Sequence, residues 1–119
     1  MPHSHNDPGW LKTFDNYFHT QSQQIINHMI AKMTEHVNLT FIWSEISFLN
    51  LWWEGAHPSK QRALKSLVNS GRLEITTGGW VMTDEANAHL YAMVDQLIEG
   101  KSVFQNFHAR KLFSFHKSV

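Results

Sequence analysis

A histidine and an aspartate lie two positions apart near the start of the chain, at His5 and Asp7. In an extended segment successive side chains alternate between two faces, so both point to one side and can close on a single cation. Imidazole nitrogen and carboxylate oxygen suit Zn²⁺, and a catalytic zinc centre needs at least three protein ligands. The pair therefore indicates part of a zinc site; the alternative is a solvated end of the chain.

An exposed indole is expected directly after this pair. Pro8 and Gly9 end the extended segment in a turn, because proline fixes φ and glycine frees it, and Trp10 follows at once. An aromatic face beside polar residues is a common platform for sugars and other flat ligands. The alternative is that Trp10 is a core residue at the start of the following helix.

The elements that must position these residues alternate between helix and strand. Apolar spacing predicts helices over residues 12–37, 46–54, 59–69 and 86–99, and buried strands over residues 39–43 and 73–77. This order is typical of an α/β fold with a parallel sheet flanked by helices, in which ligands bind at the C-terminal ends of strands. The rule places residues 5–10, Glu45 and residues 78–85 on one rim, provided that residues before Met1 form the first strand.

Composition limits the possible partners. The chain has 119 residues, enough for one domain, and its ten basic and ten acidic residues cancel, so nucleic acid and anionic membranes are not expected partners. It has no cysteine, which excludes disulfides and thiolate metal sites. No apolar run is long enough for a membrane segment. His19, His28 and His36 fall in the first predicted helix and are expected on its surface.

Several separated blocks of sequence carry a more specific pattern. They are PHSHNDPGW at residues 2–10, FIWSEIS at 41–47, WW at 52–53, LEI at 73–75, TGGWVM at 77–82, DEAN at 84–87 and DQLIEG at 95–100. In this order they resemble the class II α-mannosidases, which form glycoside hydrolase family 38. Together with LKTF at residues 11–14, they are most similar to the Golgi branch of that family.

The resemblance implies a function and roles for three residues. It implies a retaining exo-α-mannosidase with a bound zinc ion, built on a β/α barrel-like domain, that acts on mannose-containing N-glycans in the Golgi lumen. In the family, the residues that match His5 and Asp7 are zinc ligands, and the tryptophan that matches Trp10 stacks on the mannose ring.

The sequence also departs from the family pattern. The family nucleophile lies in an Asp-Pro-Phe-Gly-His-Ser block, which this sequence does not contain. We therefore assign no catalytic residue and expect the chain alone to be inactive. Glu45, Asp84 and Glu85 are expected to form hydrogen bonds around the site or to hold loops, and the last two are alternatively caps of the next helix.

Two further expectations concern organisation and an alternative function. Residues 101–119 are basic and rich in phenylalanine, without resemblance to the family, so the family domain is predicted over residues 1–100, followed by a divergent tail. The alternative function is a non-catalytic fragment that associates with a partner or holds sugar with Trp10 and Trp80. The sequence does not determine linkage specificity, metal identity or oligomeric state.

Overall fold

The computed structural model describes residues 2–105, which form a mixed α/β arrangement. In chain order the elements are α1 (Phe14–Tyr17), a π-helical turn (Phe18–Ser22), α2 (Gln23–Glu35), β1 (Phe41–Trp43), α3 (Ile46–Gly55), α4 (Pro58–Asn69), β2 (Leu73–Ile75) and α5 (Leu90–Gln105). The predicted alternation of helices and strands is confirmed. A barrel-like closure of the sheet stays a prediction.

Three segments of the chain run parallel and bring their ends to one edge. β1 pairs with β2 in parallel, with Trp43 opposite Ile75. On the other side of β1, Ile42 N–H donates to the Pro2 carbonyl at 3.0 Å, and Ser4 N–H donates to the Ile42 carbonyl at 2.9 Å. The sequence analysis made the shared rim depend on residues before Met1, and in the structure residues 2–4 already form a parallel bridge to β1. The rim therefore begins at His5.

The first helical run ends where an arginine covers its carbonyl groups. Thr13 caps its start by accepting a hydrogen bond from Asn16 N–H. At the other end, the guanidinium of Arg72, just before β2, donates to the carbonyls of Met33, His36 and Leu39. Helix-end carbonyls have no partner inside the helix, and a cation there also interacts favourably with the helix dipole. Arg72 thus joins α2 to the sheet.

The last helix starts later than its sequence pattern predicted. Asp84 Oδ1 accepts from Ala86 N–H at 3.0 Å, and the Asp84 carbonyl accepts from Asn87 N–H at 3.2 Å, so residues 84–87 form a turn. The predicted start at Ala86 was wrong, and α5 begins at Leu90. It continues past residue 100 to Gln105, while residues 106–119 of the predicted tail lie outside the described residues. The domain boundary at residue 100 stays a prediction.

The core lies beneath the rim and fixes the strand ends. Fully buried apolar side chains come from α2, β1, α3 and β2: Ile26, Trp43, Ile46, Phe48, Leu49 and Leu73. The indole N–H of Trp43 donates to the Glu45 carbonyl at 2.8 Å, which ties the last residue of β1 to the rim. Within residues 2–105, no helix is both long enough and apolar enough to cross a membrane.

Candidate metal centre

Three potential ligands meet on the rim. His5 Nε2 lies 3.7 Å from Asp7 Oδ1 and 3.1 Å from Asp84 Oδ2. One ligand atom from each residue falls within 4.8 Å of the others. The structure thus brings the predicted pair together and adds Asp84, for which a place on the rim but no metal role was expected. Asp84 is 79 positions from His5, so the tertiary fold and not local spacing brings the two together.

A buried carboxylate holds the backbone on both sides of His5. Glu45 is fully buried. Its Oε2 accepts from the Ser4 hydroxyl at 2.6 Å, and its Oε1 accepts from Asn6 N–H at 2.8 Å. The Ser4 hydroxyl in turn accepts from Ser44 N–H at 2.8 Å. The expectation that Glu45 holds a loop is confirmed, and it explains why a charged side chain is buried at this strand end.

The loop that carries Asp84 is fixed to the start of α3. Ile46 N–H donates to the Gly79 carbonyl and Ser47 N–H donates to the Trp80 carbonyl, both at 3.0 Å. These donors lie in the first turn of a helix, where N–H groups have no partner within the helix itself. The Gly-Gly-Trp segment therefore satisfies the end of α3 and is positioned by it.

The same loop is fixed to α5 by one glutamine. Trp80 N–H donates to the Gln96 carbonyl at 2.9 Å, and the side chain of Gln96 bonds to Val81 N–H at 3.2 Å and to the Thr83 hydroxyl at 3.0 Å. The turn before these contacts is left-handed, with φ of 58° at Thr77 and 69° at Gly78. Two helices thus set the place of Asp84.

The charges of the three side chains are coupled. The hydrogen bond with Asp84 raises the pKa of His5 above 6.5, opposed by a smaller effect of burial, and the negative charges of Asp7 and Glu45 raise it further. The same hydrogen bond lowers the pKa of Asp84 below 3.8, and the bond from Ala86 N–H acts in the same direction. Both effects favour the charged forms.

The donor set fits a divalent cation such as Zn²⁺. One imidazole nitrogen and two carboxylate oxygens are normal zinc ligands, and ligand atoms around a tetrahedral zinc lie about 3.3 Å apart. The distances of 3.1 Å and 3.7 Å from His5 to its two neighbours lie on either side of that value. The side chains of His5 and Asp7 are 44% and 49% exposed, which leaves the site open to solvent.

Trp10 stands beside the three ligands and is open to solvent. Its side chain is 74% exposed, so the alternative of a core residue was wrong. It lines a cleft of about 280 Å³ between residues 6–10 and residues 81–87, a cleft that Asp7 and Asp84 also line. Trp80 is half-buried and packs against the core. The cleft therefore presents an indole face and two carboxylates to a ligand of sugar size.

Comparisons with known proteins agree on one family. The model described as "Glycosyl hydrolases family 38 N-terminal domain" matches residues 1–116. Alpha-mannosidase 2 of Spodoptera frugiperda is 64% identical over 100 residues, which cover 84% of this chain and 9% of that protein. Alpha-mannosidase 2 of Homo sapiens is 55% identical over 106 residues, covering 89% and 9%. Lysosomal alpha-mannosidase of Mus musculus is 39% identical over 114 residues, covering 89% and 11%. The chain thus spans about a tenth of the length of these relatives.

Proposed function

Because the chain belongs to glycosyl hydrolase family 38, we propose that it supplies the N-terminal part of a retaining α-mannosidase catalytic domain. The observation that carries this proposal is the position of Asp7, which clusters with His5 and also lines one cleft with the exposed Trp10. N-glycan substrates, a Golgi location and a barrel-like complete domain are parts of the same proposal. They follow from the sequence blocks shared with the Golgi branch.

The residues of the rim have different roles in binding. His5 and Asp7 would hold Zn²⁺, and Glu45 keeps their backbone in place through its bonds to Ser4 and Asn6. A bound Zn²⁺ acts as a Lewis acid and as a template that orients substrate hydroxyls. Trp10 covers one face of the mannose ring and shields it from water. The chain therefore binds and orients the sugar.

Cleavage needs a pair of carboxyl groups, and neither Glu45 nor Asp84 is placed to supply one. A retaining glycosidase places a nucleophile and an acid/base about 5–5.5 Å apart on either side of the glycosidic bond. Glu45 is buried under the rim, and Asp84 is engaged with His5 and with Ala86 N–H. The sequence contains no Asp-Pro-Phe-Gly-His-Ser block. We therefore expect the chain alone to bind mannosides without hydrolysing them.

A chimera tests the mannosidase function. Residues 1–100 of this chain replace the matching segment of the full-length Spodoptera frugiperda relative, which is 64% identical over 100 residues. We expect this chimera to hydrolyse an aryl α-mannoside and to lose that activity with Asp7→Ala, whereas Gly55→Ala, at a site open to solvent, leaves it intact. A folded, secreted chimera without activity would contradict the proposal.

The second candidate function is sugar binding without catalysis, and the exposed indole of Trp10 favours it. Calorimetric titration of the 119-residue chain with methyl α-mannoside measures binding directly. Trp10→Ala should abolish binding, whereas Tyr91→Ala, an equally exposed aromatic on α5, should not. Binding by the chain together with an inactive chimera supports this second function. Turnover by the chain alone, abolished by Asp7→Ala, would contradict the expected inactivity.

A further inference from the structure

We propose that Asn38 is a site of N-glycosylation, so that this chain carries an oligosaccharide at the end of β1 opposite the rim. Asn38-Leu39-Thr40 is the one Asn-x-Ser/Thr sequence in the 119 residues, and its middle residue is not proline, which would prevent modification. The proposal rests on the proposed function, because the oligosaccharide is added in the lumen of the secretory pathway, through which a Golgi mannosidase passes.

The Asn-x-Thr sequence lies in an exposed turn between α2 and β1. A strand was predicted from residue 39, but β1 begins at Phe41, and Val37 and Asn38 form a turn ahead of it. Asn38, Leu39 and Thr40 are all exposed. A bulky, hydrated oligosaccharide needs such a position, because a close-packed interior has no space for it. The structure therefore offers Asn38 at the surface.

The turn keeps its shape without the two side chains that modification requires. Leu39 N–H donates to the His36 carbonyl at 3.2 Å, and the guanidinium of Arg72 donates to the carbonyls of His36 and Leu39. Among the residues that the structure describes, none forms a hydrogen bond with the side-chain amide of Asn38 or the hydroxyl of Thr40. Both groups are therefore accessible to a transferase, and modification of Asn38 breaks no contact of the fold.

The reaction joins the side-chain amide to a sugar. The donor is an oligosaccharide bound to a lipid through a diphosphate. Nδ2 of Asn38 attacks C1 of the first N-acetylglucosamine, the C1–Nδ2 bond forms, and the bond from C1 to the diphosphate oxygen breaks. Nδ2 carries two protons and loses one of them to solvent, and the lipid diphosphate leaves. The step needs no oxidant or reductant.

An oligosaccharide on Asn38 leaves the cleft beside Trp10 open. Residue 40 lies directly before β1 and residue 44 directly after it, where the rim begins, so the strand separates the modified turn from the rim. The apolar neighbours of Asn38 are Val37 and Leu39, whose side chains are 72% and 44% exposed. A hydrated oligosaccharide at this turn covers apolar surface without obstructing the sugar-binding cleft.

Mass spectrometry of the 119-residue chain, produced in insect cells behind a secretion signal, tests the proposal. Trypsin cleavage after Lys32 and Lys60 gives a peptide over residues 33–60 with Asn38 in its one Asn-x-Ser/Thr sequence. We expect this peptide to carry an oligosaccharide, which peptide N-glycosidase in H₂¹⁸O removes while leaving heavy oxygen at position 38. Asn69 is the internal control: it is exposed but has Gly71 two positions on, and it should stay unmodified.

Two substitutions at Thr40 separate recognition of the sequence from a change in the fold. Thr40→Ala removes the hydroxyl and should abolish the oligosaccharide although Asn38 remains, whereas Thr40→Ser keeps a hydroxyl and should retain it. An unmodified chain recovered from the secretory pathway would overturn the proposal. So would an oligosaccharide at position 38 that persists in Thr40→Ala.

The chimera with the Spodoptera frugiperda relative separates this inference from the mannosidase function. There Thr40→Ala should remove the oligosaccharide and leave hydrolysis of the aryl α-mannoside unchanged, because the turn lies away from the cleft. Modification is measured by mass and hydrolysis by turnover. An inactive chimera that carries the oligosaccharide would contradict only the mannosidase function, and an active chimera without it would overturn only this inference.

Discussion

Gly100 on α5 lies directly against the backbone of Gly78, with no space for a side chain between them. A Cβ at Gly100 would collide with the Gly78 carbonyl oxygen and with Trp80 N. A Cβ at Gly79 would come within 2.5 Å of Gln96 Oε1. Glycines on α5 and on the loop before it therefore allow the close contact between them. The geometry of the candidate metal centre thus depends on how α5 packs against the loop that carries Asp84.

Gly100→Ala should destabilise the fold and disturb the site. The methyl group meets backbone atoms, which cannot move aside as a flexible side chain does, so we expect a loss of about 1–3 kcal/mol in the free energy of unfolding by urea. Gly55→Ala is the matched control: it also lies in a helix, and a Cβ there meets nothing within 4 Å. Equal stability of the two variants would show that α5 does not pack against the loop in this way.

Arg72→Ala should separate α2 from the sheet. Hydrogen bonds that involve a charged group are worth about 1.5–3 kcal/mol, and Arg72 makes such bonds to three carbonyls, so we expect a loss in that range on urea unfolding. Arg72→Lys keeps the charge near the helix end but not the planar guanidinium. Its free energy of unfolding should therefore lie between those of the unaltered chain and Arg72→Ala. Arg62→Ala, at an exposed position on α4, should change stability by less than about 0.5 kcal/mol. An unchanged free energy of unfolding in Arg72→Ala would contradict this function of the guanidinium.

The fold could be predicted from sequence where local pattern and packing agree. Both strands, each two residues shorter than predicted, and the helix predicted at residues 46–54 followed from apolar spacing. The glycine end of α4 was also predicted, and Gly71 does adopt a positive φ of 73°. The start of α5 was missed because the side chain of Asp84 bonds to Ala86 N–H and forms a turn, which apolar spacing does not reveal. Capping of α2 by Arg72 was also missed, because it joins residues more than thirty positions apart.

In the candidate metal site, too, contacts between residues distant in sequence could not be predicted. The approach of His5 to Asp7 could be predicted because their spacing is local, whereas the approach of Asp84 follows from no such pattern. The rule that strand ends share a rim placed Asp84 in the right region. Its pairing with His5, however, depends on a turn at Thr77 and Gly78 and on contacts with two helices. A sequence alone does not give the direction of a side chain in a loop.

The His5–Asp84 pair should make the stability of the metal-free chain depend on pH. The pKa of His5 is raised, so its contribution is complete below the unfolded value of 6.5 and is lost as pH rises through the folded value. The pKa of Asp84 is lowered, so its contribution is complete above 3.8 and is lost as pH falls through the folded value. The pair therefore stabilises most between these two reference values. Urea unfolding in the presence of chelator should show a larger deficit for Asp84→Asn at pH 5.5 than at pH 8.5. A deficit that does not vary with pH would contradict the ion pair.

Glu45→Gln should weaken the metal site without touching a ligand. Glutamine offers one acceptor oxygen where Glu45 uses two, so its amide N–H group must face either the Ser4 hydroxyl or Asn6 N–H. Either the bond that the Ser4 hydroxyl donates to the charged carboxylate is lost, or Asn6 N–H faces another donor, and we expect zinc affinity to fall about 10- to 100-fold, as for other groups that hold metal ligands. Zinc calorimetry measures this effect, and circular dichroism checks the fold. Glu74→Gln removes an equal charge from an exposed position on β2 and should leave affinity unchanged. If Glu45→Gln binds zinc as tightly as Glu74→Gln and the unaltered chain, the zinc site does not depend on Glu45, and its role is limited to the fold.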